Sequence, residues 1–216
     1  PNEVAGSALE LGGRATIKAN QDAGVLLLNL AGGGYAVSTE AFADLNSDRG
    51  SSLELWAISD SVEWQTLAGL VLDGPRPTLL YPSHARHNPH MLMLERAGVA
   101  GSNWNHIHPN FAMRSVHRSP AGYTGGVNAY SEADYLIHAW HHFVVVNRAD
   151  GLLIYVDGEL SGETQSAFNI DPENYKLLLG RLHTLGTSAD ARPWRGAIDE
   201  VSLYDRALSD EEVRRH

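Results

Sequence analysis

The stretch FVVVNRADGLLIYVDGEL at 143 to 160 restricts the fold more than any other part of this chain. Two Asp-Gly pairs, Asp150-Gly151 and Asp157-Gly158, each sit between runs rich in β-branched and aromatic residues. Asp-Gly supplies the positive φ angles of tight hairpin turns, so the segment predicts a three-stranded antiparallel meander. Its strands, FVVV and LLIYV, are apolar on both faces, which places them centrally in a sandwich. Similar strand-like runs recur at SALEL (7 to 11), RATIKA (14 to 19), SLELWAIS (52 to 59) and WQTLAGLVL (64 to 72). Helical periodicity is nearly absent until Ser209, which with Glu212 forms a capping box opening a short terminal helix. The 21 glycines and 9 prolines fit many turns between short strands. The expected fold is all-β: a two-sheet antiparallel sandwich with a short C-terminal helix.

At 216 residues the chain suits one β-sandwich domain, 1–216. A net charge of -10 opposes binding to phosphate backbones or anionic lipid, so nucleic acid is a poor partner. The chain has no cysteine, and with it no disulfide, thiolate metal site or Cys nucleophile. Its longest apolar run, VLLLNL at 25 to 30, is far short of the roughly 18 residues of a membrane helix, so no membrane insertion is expected. The opening Pro1-Asn2-Glu3 reads as a boundary within a longer exported polypeptide with covalently linked neighbouring domains.

Several ordered segments resemble the laminin-G-like domain of the concanavalin A-like lectin/glucanase superfamily. GSALELGG at 6 to 13 is similar to its opening strand, and SLELWAIS carries the family's recurrent tryptophan at Trp56. AWHHFVVV at 139 to 146 with LLIYVDGELSG at 152 to 162 resembles its most recognisable hairpin. KLLLGRL at 176 to 182 and RPWRGAIDEVSLYDRALSDEEV at 192 to 213 resemble its last two strands and terminal helix. The resemblance implies a jelly roll with adjacent terminal strands, an extracellular, periplasmic or cell-surface location, and recognition of glycan or protein through edge loops or a concave face. Residues 82 to 130 depart from the compact pattern with extra loop, where Gly, Pro, Asn and six of the eleven histidines gather.

Glucanases on such sandwiches set two carboxylates at alternate positions of one strand. Here Glu132-Ala133-Asp134 is followed by Leu136 and Ile137, Glu54 has no acidic partner two residues away, and Asp199-Glu200 are adjacent. No Gly-x-Ser-x-Gly elbow occurs. A non-catalytic recognition module is therefore expected; a carbohydrate-active enzyme and a structural spacer are the alternatives. Trp104 with Asn103, Asn105, Arg86 and Tyr123 is the candidate ligand site, an aromatic platform beside hydrogen-bonding groups. Trp64, Tyr130, Trp194 and Asn128 fall in or near loops as well. His84, His87, His90, His106 and His108 form a candidate transition-metal cluster, against the plainer reading of exposed polar loops. No cofactor is required. Asp199 shares a strand face with Val201 and Leu203, which places it inward, where a carboxylate needs hydrogen bonds or a cation. A structural calcium there is the sharper reading, as relatives of the fold often have one.

Overall fold

The computed structural model describes residues 8–19, 26–30, 33–73, 90–98, 101–103, 106–119, 121, 126–135, 137–165, 173–182 and 192–216. The early strands are β1 (Leu9–Gly12), β2 (Ala15–Ala19), β3 (Leu26–Leu30), β4 (Tyr35–Ser38), β5 (Ser51–Ser59) and β6 (Gln65–Leu72). The middle contributes β7 (His90–Arg96), β8 (Gly101–Asn103), β9 (His106–His108), β10 (Ala112–His117) and β11 (Val127–Asp134). There follow β12 (Trp140–Arg148), β13 (Gly151–Val156), β14 (Glu159–Gln165), β15 (Tyr175–Leu179), β16 (Gly196–Tyr204) and helix α1 (Asp210–Arg215).

Two seven-stranded antiparallel sheets pack face to face. The front sheet runs β1-β4-β15-β6-β7-β10-β11 and the back sheet β14-β13-β12-β5-β16-β3-β2; β8 and β9 form a separate hairpin. Leu53, Leu55, Phe143, Val145, Ile154, Ile198 and Leu203 of the back sheet meet Leu70, Leu92, Leu94, Met113, Leu177 and Leu179 of the front sheet in one core. This is the jelly-roll-type sandwich expected, and the meander β12-β13-β14 is present, with one bulged residue, Ser161, in the β13-β14 pairing. The middle of the chain is less irregular than its composition implies. Segments MLMLE and FAMRSV become β7 and β10, interior strands of the front sheet.

The two Asp-Gly turns differ. Val156 pairs with Glu159, leaving Asp157 (φ 52) and Gly158 (φ 82) as a two-residue turn with both residues left-handed. In the first hairpin Arg148 pairs with Gly151, so Ala149-Asp150 form the turn and Gly151 begins β13. Gly151 is needed there for room, since a Cβ would lie 2.8 Å from the Thr164 carbonyl oxygen.

Strands β12 and β13 are apolar on both faces because the outside of the back sheet is roofed. Val144, Val146, Leu153, Tyr155 and Tyr204 pack there against Leu208 and Val213 of the terminal segment. Ser209 opens α1 with the expected capping box to Glu212, and Tyr155 Oη donates to Asp210 at 2.6 Å. Ser52 Oγ accepts from Leu208 N at 2.9 Å and donates to the Arg206 carbonyl at 3.0 Å. Beside it Glu54, 6% exposed, receives His142 Nε2 at 2.7 Å, Tyr204 Oη at 2.8 Å and His216 Nδ1 at 3.0 Å. Burial pushes this carboxyl up, but hydrogen bonds from His142, Tyr204 and His216 outweigh it and bring it down to about 2.

One register expectation is corrected in β16. Asp199 pairs with Trp56 and Ser202 with Glu54, so an extra residue bulges between them, and Glu200 adopts φ 47. Ile198 is fully buried in the core, while Asp199 points to the opposite, outer face and is only half-buried. Val201 and Leu203 face inward as expected; the bulge breaks the alternation before it reaches Asp199.

Two outcomes follow. Gly158→Val should lower stability by about 1 kcal/mol or more by forcing a β-branched residue into positive φ, read as a shift in denaturant midpoint. A depressed folded-state value for Glu54 means its contribution is full above the unfolded value of 4.5 and is lost as pH falls toward about 2. Wild type should thus lose up to about 3 kcal/mol across that window through this group, and Glu54→Gln should flatten that part of the profile.

Candidate functional site on the front sheet

Alternation along the interior strands of the front sheet sends Leu92 and Leu94 inward and Met93 and Glu95 outward. Across the ladder Glu95 pairs with Arg114 of β10 and Thr66 of β6, and Arg114 pairs with Tyr130 of β11. These four side chains therefore share the outer face. Glu95 is completely buried and Arg114 6% exposed. Arg114 Nη1 donates to Glu95 Oε1 at 2.5 Å, and its Nε and Nη2 donate to Asn128 Oδ1 at 3.0 and 2.5 Å. Arg192 Nη1 donates to Glu95 Oε2 at 2.8 Å, so both carboxylate oxygens are occupied.

The loop carrying Arg192 is fixed by the sheet itself. Thr66 N donates to the Arg192 carbonyl at 2.7 Å, and Thr66 and Pro193 form a parallel bridge. Arg192 adopts φ 45 and its guanidinium lies 4.7 Å from the centre of the Trp64 ring. Arg114 approaches Trp64 at 5.9 Å and Tyr130 at 5.8 Å. Burial raises the Tyr130 phenol, and Glu95 adds to that rise while Arg114 opposes it. Arg118, just past β10, donates from Nη1 to His90 Nε2. Burial first, then the charges of Arg114 and Arg192, bring the Arg118 guanidinium down to about 10 despite Glu95.

The residues singled out from sequence fare unequally. Arg86, Trp104, Asn105, Tyr123, His84 and His87 lie outside the described residues. Asn103 pairs with His106 in the β8-β9 hairpin, which also holds His108. His90 is 1% exposed at the start of β7, and the Nε2 that accepts from Arg118 has its lone pair occupied. Among the described residues no three His, Cys, Asp or Glu side chains group closely enough to hold a metal ion. Asp199 Oδ1 accepts the N–H of Glu200 at 2.9 Å. It offers one carboxylate on the outer face of the back sheet, where calcium would want six to eight oxygens.

Trp194 is 2% exposed and part of the core rather than a loop platform, whereas Trp64, Tyr130 and Asn128 do meet at one site. Glu95, Arg114, Arg118 and Arg192 escape a reading of motifs. The signal for Glu95 and Arg114 is a single charge inside each of two apolar strand segments, MLMLE and AMRSV, with opposite signs; Arg118 and Arg192 lie outside both.

Against known proteins, a family profile covers residues 31–214 and is described as the concanavalin A-like lectin/glucanases superfamily, of laminin-G type. The chain belongs to that superfamily. Among curated protein sequences none matches it. Domain 4 of the extracellular arabinanase AbnA of Geobacillus stearothermophilus, solved with arabinotriose, is similar over 96% of this chain and 86% of that one, with 14% identity and TM-score 0.64. A SAP-like pentraxin of Limulus polyphemus is similar over 88% of this chain and 80% of that one, at 9% identity and TM-score 0.62. A Trypanosoma rangeli sialidase solved with sialic acid is similar over 88% of this chain but only 27% of its own, at 20% identity and TM-score 0.55. At these identities the likeness is one of fold.

Removing a partner from a buried ion pair leaves an uncompensated charge. Glu95→Ala should therefore lower unfolding free energy by about 3–5 kcal/mol in chemical denaturation, well beyond the cost of an exposed pair such as Arg195–Glu63.

Proposed function

We propose that this superfamily member is a non-catalytic recognition module for glycans, with its ligand face on the outside of the front sheet around Trp64, Tyr130, Asn128 and the Glu95-centred arginines. The observation that carries the reading is the state of Glu95. A retaining or inverting glycosidase needs two carboxyl groups free to exchange protons or attack carbon. Glu95 instead has each oxygen bonded to a guanidinium, a structural role that fixes the arginines. Rings of Trp64 and Tyr130 beside planar amide and guanidinium donors match what sugar sites use, apolar faces with a few directed polar groups. The sugar-bound arabinanase domain lends support, since its fold covers nearly the whole of this chain. Placement outside the cell belongs to the same proposal, and among the described residues no helix is long and apolar enough to cross a membrane.

A glycan array probed with this chain and with Trp64→Ala provides the test. Saccharide binding by the wild type, reduced at least tenfold in the variant, is expected, with no release of reducing sugar from the bound glycans. Loss of such release on replacing a single Asp or Glu would reveal an enzyme instead. An array with no bound saccharide would refute glycan recognition.

A further inference from the structure

We infer that the open half of the back sheet's outer face is a second binding site, a narrow track for an extended, uncharged polysaccharide, with Trp140 and Trp56 as its stacking rings and Asp199 as its hydroxyl acceptor. This goes beyond the front-sheet reading and does not rest on it. The inference starts from an asymmetry within one sheet face. Leu208 and Val213 roof the half that carries Val144, Val146, Leu153 and Tyr155, and the roof ends where His216 meets Glu54. Past that point Trp140 stands 39% exposed, the one aromatic among the exposed large hydrophobic side chains of the described residues.

Cross-strand register sets what shares this open face. Trp140 of β12 pairs with Ile58 of β5, Ile58 with Ala197 of β16, and Ala197, across β3, lines up with Thr16 of β2. A second outward row joins His142, Trp56 and Asp199. Ala57 and Ile198, between the two rows, lie in the core, so alternation turns both rows outward. Trp56 and Trp140 are thereby diagonal neighbours on one face, a spacing that lets two rings serve one ligand. Trp56 is held by stacking on His142, ring centres 5.1 Å apart and planes 28° from parallel, and His142 is itself bonded to Glu54. Ile58 and Ala197, both half-buried, make a low apolar floor beside Trp140. Asp199 gives Oδ1 to the N–H of Glu200, and its Oδ2 has no partner among the described residues.

Shape, area and charge select the occupant. Strands β12, β5, β16, β3 and β2 are neighbours in that order, and at about 4.8 Å per strand they span roughly 19 Å, while the two rows lie about 7 Å apart along the strands. A footprint on the order of 130 Å² is far below the roughly 800 Å² that each partner gives to a stable protein interface. Two copies of a chain with net charge -10 also repel each other. A long, narrow surface suits a polymer lying across the strands. Tryptophan rings take the apolar faces of sugars, and a carboxylate oxygen accepts their hydroxyls in charge-assisted hydrogen bonds. The same carboxylate, with exposed Glu200 beside it, opposes a polymer of acidic sugars. Of the bases on this side, Arg195 is paired with Glu63 and Lys18 lies out on the β2 edge.

Affinity electrophoresis in native gels tests this, with linear arabinan, xylan, mixed-linkage β-glucan or polygalacturonate cast into the gel. At least one of the three neutral polymers should retard the wild type, and Trp140→Ala should weaken that binding at least tenfold. Ala197→Gln, which fills the floor of the track, should do the same and stands in for Trp140→Ala if that variant fails to fold. Polygalacturonate should bind at least tenfold more weakly than the best neutral polymer. Retardation that survives Trp140→Ala overturns the track, as does polygalacturonate binding equally well. Retardation lost in Trp64→Ala instead belongs to the front sheet, so the track falls and glycan recognition there stands. If no neutral polymer retards the chain, the track falls whatever the array shows, and the array alone then decides the front-sheet reading. Sedimentation of the wild type gives the remaining outcome: a concentration-dependent dimer abolished by Trp140→Ala would show a second copy on this face and overturn the polysaccharide assignment.

Discussion

Strand β5 has to satisfy two different environments, and most of the back sheet is arranged around that demand. Leu53, Leu55 and Ala57 point into the core, while Ser52, Glu54 and Trp56 point outward. A buried carboxylate on the outer side can persist only if its lone pairs are filled. His142 from β12, Tyr204 from β16 and His216 beyond α1 fill them, and Ser52 ties down the chain at Arg206 and Leu208. The terminal helix is thereby held over Val144, Val146, Leu153 and Tyr155, which would otherwise be an exposed apolar sheet face.

The front sheet resolves the same problem differently. Its outer face carries Glu95 and Arg114 at the centre of the ladder, where both lose water. Buried ion pairs contribute little net stability compared with apolar packing, so this one is better understood as a means of orienting groups. The carboxylate fixes Arg114 and Arg192, the amide of Asn128 fixes Arg114 again, and the backbone of Thr66 fixes the loop that bears Arg192. Preorganised donors of this kind are what a polar ligand requires, because they do not have to be ordered on binding.

Much of this architecture is legible in the sequence, for identifiable reasons. Asp157-Gly158 announces its turn because few other residue pairs accept two positive φ angles in succession, and Ser209 with Glu212 announces α1 because a capping box is local. The double-faced strands β12 and β13 were legible as buried, but the second burying surface is the distant terminal segment, a tertiary fact. Asp199 was misplaced because a bulge adds one residue to one strand and leaves no mark in a two-residue period. The candidate site was hidden for a related reason: Glu95, Arg114 and Arg192 are separated widely in sequence and meet only through cross-strand register and a loop. Trp64 and Tyr130 were visible as aromatics, though not as members of one site.

The bulge in β16 also bears on how faithfully the sandwich assembles. Between Asp199 and Ser202 the strand changes which residues face inward, so no uniform shift of β16 against β5 can bury Ile198 and Leu203 together. A slip by one position would drive the Asp199 carboxylate between the sheets and expel Ile198, an error with an energetic penalty of several kcal/mol. The left-handed Glu200 thus marks the one pairing of the last strand with β5 that buries Ile198 and Leu203 together.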